Sequence, residues 1–158
     1  MIFVVTPVEV SGDSMQHTFH DHDKILVWHI GYEVSVDDVV IVDSSEYLST
    51  EFIIKRVVAV SGDKVEYSSE KETVSVNGVI VVTGVKKHEY QTMMTIKENN
   101  ETYYDTGIVP EGYSIVIGDN FDNSTDSRQI GLISNENILG KCIFRIYPFS
   151  QFGIPERK

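Results

Sequence analysis

Two residues 41 positions apart carry the chemistry this chain could perform: Ser14 and Lys55. Ser14 stands in Ser11-Gly12-Asp13-Ser14-Met15-Gln16-His17-Thr18-Phe19, between the apolar runs Ile2-Phe3-Val4-Val5 and Ile25-Leu26-Val27. A glycine-flanked serine between strand-like segments sits on a turn whose backbone N–H groups can point at a ligand. Its hydroxyl is a nucleophile only where a base reaches it; without one, Gly/Asp/Ser clusters mostly just make turns. Lys55 lies in Ile53-Ile54-Lys55-Arg56-Val57-Val58, where apolar residues fall on both faces of a strand. A generic strand lysine faces solvent. One with apolar neighbours on both faces loses water, which favours its neutral amine and lowers its pKa toward the working range of a base. Neutral lysine can take a serine proton, giving a Ser–Lys dyad without histidine. A third polar stretch, Gly118 to Gly131, offers hydroxyls and carboxylates able to orient an amine and pair with arginines. By itself it reads as a solvated Asx-rich loop.

The elements that must position these groups are strands. Ile2–Val10, with Pro7 suited to an edge or bulge, Lys24–His29, Val39–Val42, Phe52–Val60 and Lys64–Tyr67 are short β-branched or aromatic runs bounded by Gly, Asp or Ser. Val74–Val76 and Val79–Val82 flank Asn77-Gly78, which predicts a hairpin with a type I′ turn. Tyr113–Ile117 and Lys141–Tyr147 complete the set. Helix signals are few. Asn135 to Gly140 fits one turn ending at the glycine, and Glu89–Thr106 is polar and poorly periodic, which predicts a mobile insertion. The pattern gives a mostly β domain of coiled antiparallel sheets or a barrel.

At 158 residues the chain fits a single domain over 1–158, with a small β-rich insertion over about 66–110. Thirteen basic against 24 acidic residues leave a net charge of −11, which argues against a nucleic-acid partner. A single cysteine, Cys142, rules out an internal disulfide and reads as a small buried hydrophobe. His17, His20 and His22 cluster on a polar loop without metal-ligand spacing, so no metal or cofactor is expected. No apolar stretch approaches the roughly 20 residues needed to span a bilayer. Met1–Val5 is too short for a signal segment and reads as the cut end of something longer.

Taken together and in order, the three pieces resemble the type I signal peptidases. The family's SGxSMxPT is met by Ser11 to Thr18, its KRVxxxPGDxV by Lys55 to Val65, and its GDNxxxSxDSRxxG by Gly118 to Gly131. Asp38-Val39-Val40-Ile41-Val42 resembles its GDVVVF strand, with Asp37 where glycine is usual. The resemblance covers nearly the whole chain and implies a barrel-like catalytic fold on the extracytoplasmic face of the cell membrane, behind an anchor preceding residue 1. It implies Ser14 as nucleophile, Lys55 as general base and Ser124 as the hydroxyl bonded to the lysine amine. The Ser14 N–H would supply part of an oxyanion hole. Gly12 occupies the position of the second donor, as in the Gram-positive branch. Arg56, Asp119, Asp126 and Arg128 would pair as scaffold, and Met15 would pack beside the lysine stem. An extended preprotein would add as a strand between Val8–Gly12 and Phe52–Lys55. Val8, Val10, Ser11, Val40, Ile53 and Ile54 would line shallow pockets for small P1 and P3 residues of an Ala-x-Ala-like signal end. Phe19 and Trp28 read either as ordinary core or as a surface meeting membrane lipid.

His17 and Ser61 stand where prolines are usual, and Phe121 where a polar residue is common. Losing the prolines predicts looser turns beside both catalytic segments, at about 0.5–1 kcal/mol each. The leading expectation is a membrane-anchored serine endopeptidase removing signal peptides from exported preproteins. A pilus or surface assembly factor that binds precursors without cutting them is the alternative from another class. A self-cleaving repressor of the LexA type ranks far below, because the chain is acidic and begins directly on the serine-bearing region.

Overall fold

The computed structural model describes residues 4–156; the start of the first apolar run, through Phe3, lies outside them. Seven strands form one antiparallel sheet in the order β1-β2-β12-β3-β4-β10-β11, curled into a half-barrel. They are β1 (Val5–Glu9), β2 (Lys24–Trp28), β3 (Val39–Asp43), β4 (Phe52–Val60), β10 (Tyr113–Ile117), β11 (Ile133–Ser134) and β12 (Ile138–Tyr147). β1 forms one edge, where Pro7 removes no ladder donor that a central strand would need. Between β4 and β10 the chain forms a three-stranded sheet of β5 (Val65–Ser68), β6 (Thr73–Val76) and β7 (Val79–Thr83). The helix α1 (Lys87–Met93) follows, then a ribbon of β8 (Thr95–Ile96) and β9 (Glu101–Thr102). A one-turn helix, α2 (Ser127–Ile130), precedes β11. The β6–β7 turn has positive φ at Asn77 (49°) and Gly78 (83°), the geometry of a type I′ turn.

The core divides according to strand alternation. In β3, Val39 and Ile41 join Val10, Met15, Phe19, Ile25, Val27 and Cys142, while Val40 and Val42 join Val57, Val116, Ile130 and Ile133. A strand buried on both faces needs such an unbroken apolar run. Burial pushes the Cys142 thiol up to about 12.

Four expectations are corrected. Glu89–Thr106 is no loose insertion: Tyr90, Met93, Met94 and Ile96 pack into a core shared with Val58, Ala59, Ile115 and Leu132. Tyr90 and Met93 share one face of a short helix whose other residues are polar, which hides the pattern in the sequence. Asn135–Asn137 does make a turn, but β12 starts at Ile138 and Gly140 sits within it, not at a helix end. A Cβ on Gly140 would lie 2.5 Å from the Trp28 carbonyl, so close strand packing explains the glycine. Phe19 is fully buried with the Arg145 guanidinium 4.9 Å from its ring centre and cannot meet lipid; Trp28 is 38% exposed. The turn at Ser61 is not loosened. Gly112 N–H donates to Ser61 Oγ (3.0 Å), Val60 N–H to Asp63 Oδ2 (2.9 Å) and Gly62 N–H to the Val109 carbonyl (2.9 Å), replacing the constraint of a proline ring.

Candidate active site

β4 delivers Lys55 and the β1–β2 connection delivers Ser14. Lys55 is 3% exposed, and its Nζ donates to Ser14 Oγ at 2.7 Å and to the Ile54 carbonyl at 2.8 Å. Burial drives the lysine pKa down to about 8, against the weaker upward pull of the Asp126 and Asp119 charges. Removing water from an ammonium costs more than two carboxylates outside direct contact return. At neutral to mildly alkaline pH, a substantial share of the amine is therefore free to accept a proton.

Around this pair the charges are matched. Arg56, the next residue of β4, is 4% exposed and grips Asp119 with both Nε (2.9 Å) and Nη2 (2.7 Å). Arg128 grips Asp126 in the same two-pronged way, with both distances 2.9 Å. Asp126 also caps α2 and accepts from Gly118 N–H at 3.0 Å. Such forks combine charge with fixed geometry. The four scaffold residues thus form two ion pairs that tie the Gly118–Gly131 strap to β4 and to itself.

That strap also holds the nucleophile turn. Asn120 N–H donates to the Ser14 carbonyl and its side-chain Nδ2 to the Asp13 carbonyl, both at 3.0 Å. Asn120 had no role assigned from sequence, although its place after Gly118-Asp119 in the third motif was visible. A Cβ on Gly118 would stand 2.1 Å from Ser124 Oγ and 2.6 Å from the Ser14 carbonyl, so only glycine lets the two segments approach.

Two expected roles are not met by hydrogen bonds. Ser124 Oγ is buried beside Gly118 with no partner among the described residues, so the bond to the lysine amine is not formed here. Lys55 uses the Ile54 carbonyl instead. Gly12 has no hydroxyl, and its N–H donates to Asp21 Oδ1 at 2.9 Å, which leaves it engaged rather than aimed at an oxyanion. His22 contacts Glu9 and Asp21 at 2.8 and 3.2 Å on an exposed loop.

A cleft of about 370 Å³ opens beside the pair. Val8, Val10 and Ser11 from the β1 side and Ile53 and Ile54 from β4 line it, together with Met15 and Ser14. Val40 does not: it is fully buried with Val42 and Val57, and its neighbour Ile41 lines the cleft. A continuous Val-Val-Ile-Val run hides which of two adjacent residues faces which side, so the sequence could not separate them. Glu9, Thr50, Phe52 and Lys55 itself complete the wall.

Comparison with known proteins gives the family. The sequence model of the family described as "Signal peptidase, peptidase S26" matches residues 1–147. Signal peptidase IB of Staphylococcus aureus is 32% identical over 167 residues, covering 95% of this chain and 82% of that protein. A protein named "Probable signal peptidase I-1" from Synechocystis is 29% identical over 160 residues, covering 96% and 76%. A crystal structure of a signal peptidase I from Enterococcus faecalis aligns with a TM-score of 0.47 at 23% identity, over 70% of this chain and 97% of that one. With a family match over most of its length and relatives at this identity, the chain belongs to the peptidase S26 family, the type I signal peptidases, which are serine endopeptidases.

Proposed function

We propose that Ser14 and Lys55 are the catalytic dyad of a membrane-anchored endopeptidase that removes signal peptides from exported preproteins. One observation carries this reading: a desolvated amine with a lowered pKa, 2.7 Å from a turn-borne serine hydroxyl. In the reactive form neutral Nζ accepts the Ser14 proton while Oγ bonds the scissile carbonyl carbon. The carbonyl π electrons move to oxygen, and the Ser14 N–H steadies that oxyanion, a contribution of about 3 kcal/mol per donor. Collapse breaks the C–N bond, and the lysine ammonium returns its proton to the leaving amine. Water, deprotonated by the same lysine, then hydrolyses the acyl-serine.

The substrate enters as an extended strand between Val8–Ser11 and Ile53–Ile54, its P1 and P3 side chains turned into the cleft. Branched side chains wall the cleft, and Ala-sized P1 and P3 residues are its proposed occupants. Residues 1–158 act as one extracytoplasmic catalytic domain in which the β-rich part from about 66 to 110 is an insertion. No helix among the described residues is long and apolar enough to cross a membrane. Nothing favours the binding-only alternative, which calls for a serine and lysine out of mutual reach. The test is cleavage of a purified preprotein, or a peptide ending its signal in Ala-x-Ala, with detergent or lipid present. Cleavage after the small P1 residue, lost in Ser14→Ala and in Lys55→Ala, is expected. Tight binding without cleavage by the unmutated protein would overturn the proposal.

A further inference from the structure

The segment 11–23 that carries Ser14 is held by a buried arginine lying outside all three motifs. Arg145, on β12, is 4% exposed. Its Nη2 donates to the Thr18 carbonyl at 2.5 Å, its guanidinium lies over the Phe19 ring, and Nη1 stands 3.4 Å from Asp23 Oδ2. Nη1 also donates to Gln151 Oε1. Thr18 and Phe19 are rigidly joined to the nucleophile: both their N–H groups donate to the Met15 carbonyl, at 2.9 and 2.8 Å. The base of the segment is closed by Val10 N–H to the Asp23 carbonyl (2.8 Å) and His22 N–H to the Val10 carbonyl (2.9 Å). On its other side Thr18 Oγ1 donates to Asp119 Oδ2 (2.5 Å), while Arg56 Nη2 donates to that hydroxyl at 3.4 Å. Thr18 is therefore clamped at its carbonyl by Arg145 and at its hydroxyl by the ion pair adjoining Lys55.

Stability alone is a poor reason for this arginine. Among the described residues its single carboxylate contact is long and its Nε is buried without a partner, an arrangement that apolar packing would commonly match or exceed. We infer that Arg145 is a positioning residue which, through Thr18, fixes Ser14 Oγ against the Lys55 amine for acylation. The inference rests on the reading of Ser14 and Lys55 as the dyad. Misplacing a reacting atom by about 1 Å can cost on the order of 100-fold in rate.

The experiment measures kcat and KM on a peptide ending its signal in Ala-x-Ala, beside thermal melting that certifies each variant as folded. Arg145→Gln is expected to lower kcat by roughly 100-fold, with KM changed less than about twofold, and Thr18→Val to lower kcat by roughly tenfold. Because both free the same turn, the double variant should lose no more than Arg145→Gln alone. Arg145→Lys, which keeps the charge but not the fork, should recover only part of the rate. If Arg145→Gln does not fold at the assay temperature, Arg145→Lys decides, with a kcat loss of about tenfold expected. A folded Arg145 variant with the unmutated kcat would overturn the inference, as would a double variant whose loss is the product of the two single losses. Ser14→Ala serves as the reference; undiminished cleavage by it would sink the dyad reading itself and this one with it.

Discussion

Lys55 and Arg56 are adjacent on β4, equally buried, and opposite in electrostatic circumstance. Arg56 meets a carboxylate in a two-pronged pair and has its remaining nitrogen on the Asp37 carbonyl at 2.9 Å. Lys55 meets a hydroxyl and a carbonyl, with no carboxylate in contact among the described residues. One strand thus presents two buried cations, of which the first is arranged to lose its charge and the second to keep it. The pairing of Arg56 with Asp119, and of Arg128 with Asp126, fixes the walls. The absence of such a pairing at Lys55 leaves its pKa low, as the proposed role of base requires. Pairing it would raise its pKa and disable it.

The comparison is broken most severely by making the lysine into its neighbour. Lys55→Arg supplies a cation that cannot be deprotonated, and cleavage should fall by about 10⁴-fold or more, read as kcat/KM with Ser14→Ala alongside. The second break is at the paired site. Arg56→Met strands Asp119 without its arginine in a buried setting and should lower stability by about 3–5 kcal/mol in denaturant unfolding.

The third uses the opposite sign. The Lys55 pKa falls on folding from the ordinary 10.5 to about 8, so between those values the unfolded chain binds more protons. The contribution of Lys55 to stability, read as the difference from Lys55→Met, should therefore rise with pH across that window, its penalty being fully present below about 8. Lys55→Met should remove the rise and stabilise the inactive protein at pH 7 by about 3 kcal/mol, seen by unfolding at several pH values. A smaller effect sharpens the wall assignments. Ile41→Ala should widen tolerance at P1 or P3 in a peptide panel, whereas Val40→Ala should cost about 1–3 kcal/mol of stability and leave selectivity unchanged.

Motif spacing pointed to Ser14, Lys55, Arg56, Asp119, Asp126 and Arg128, and the structure brings Ser14 to Lys55 and pairs the two arginines with the two aspartates. Strand periodicity and Asn77-Gly78 placed most of the sheets, since turn chemistry acts locally. What escaped was set by tertiary contact. The face of Val40 depended on a sheet buried on both sides. The α1 segment earned its burial from partners distant in sequence, such as Ile115 and Leu132. The roles of Asn120 and Arg145 are bonds to backbone carbonyls of a distant loop, which no side-chain pattern signals.

The most direct measurement is an NMR titration of the Lys55 side chain by its Cε shift, assigned by difference against Lys55→Arg. A midpoint near 8 in the folded protein is the result this account predicts. A midpoint at the ordinary lysine value would mean an ammonium at working pH, and Lys55 could not be the base.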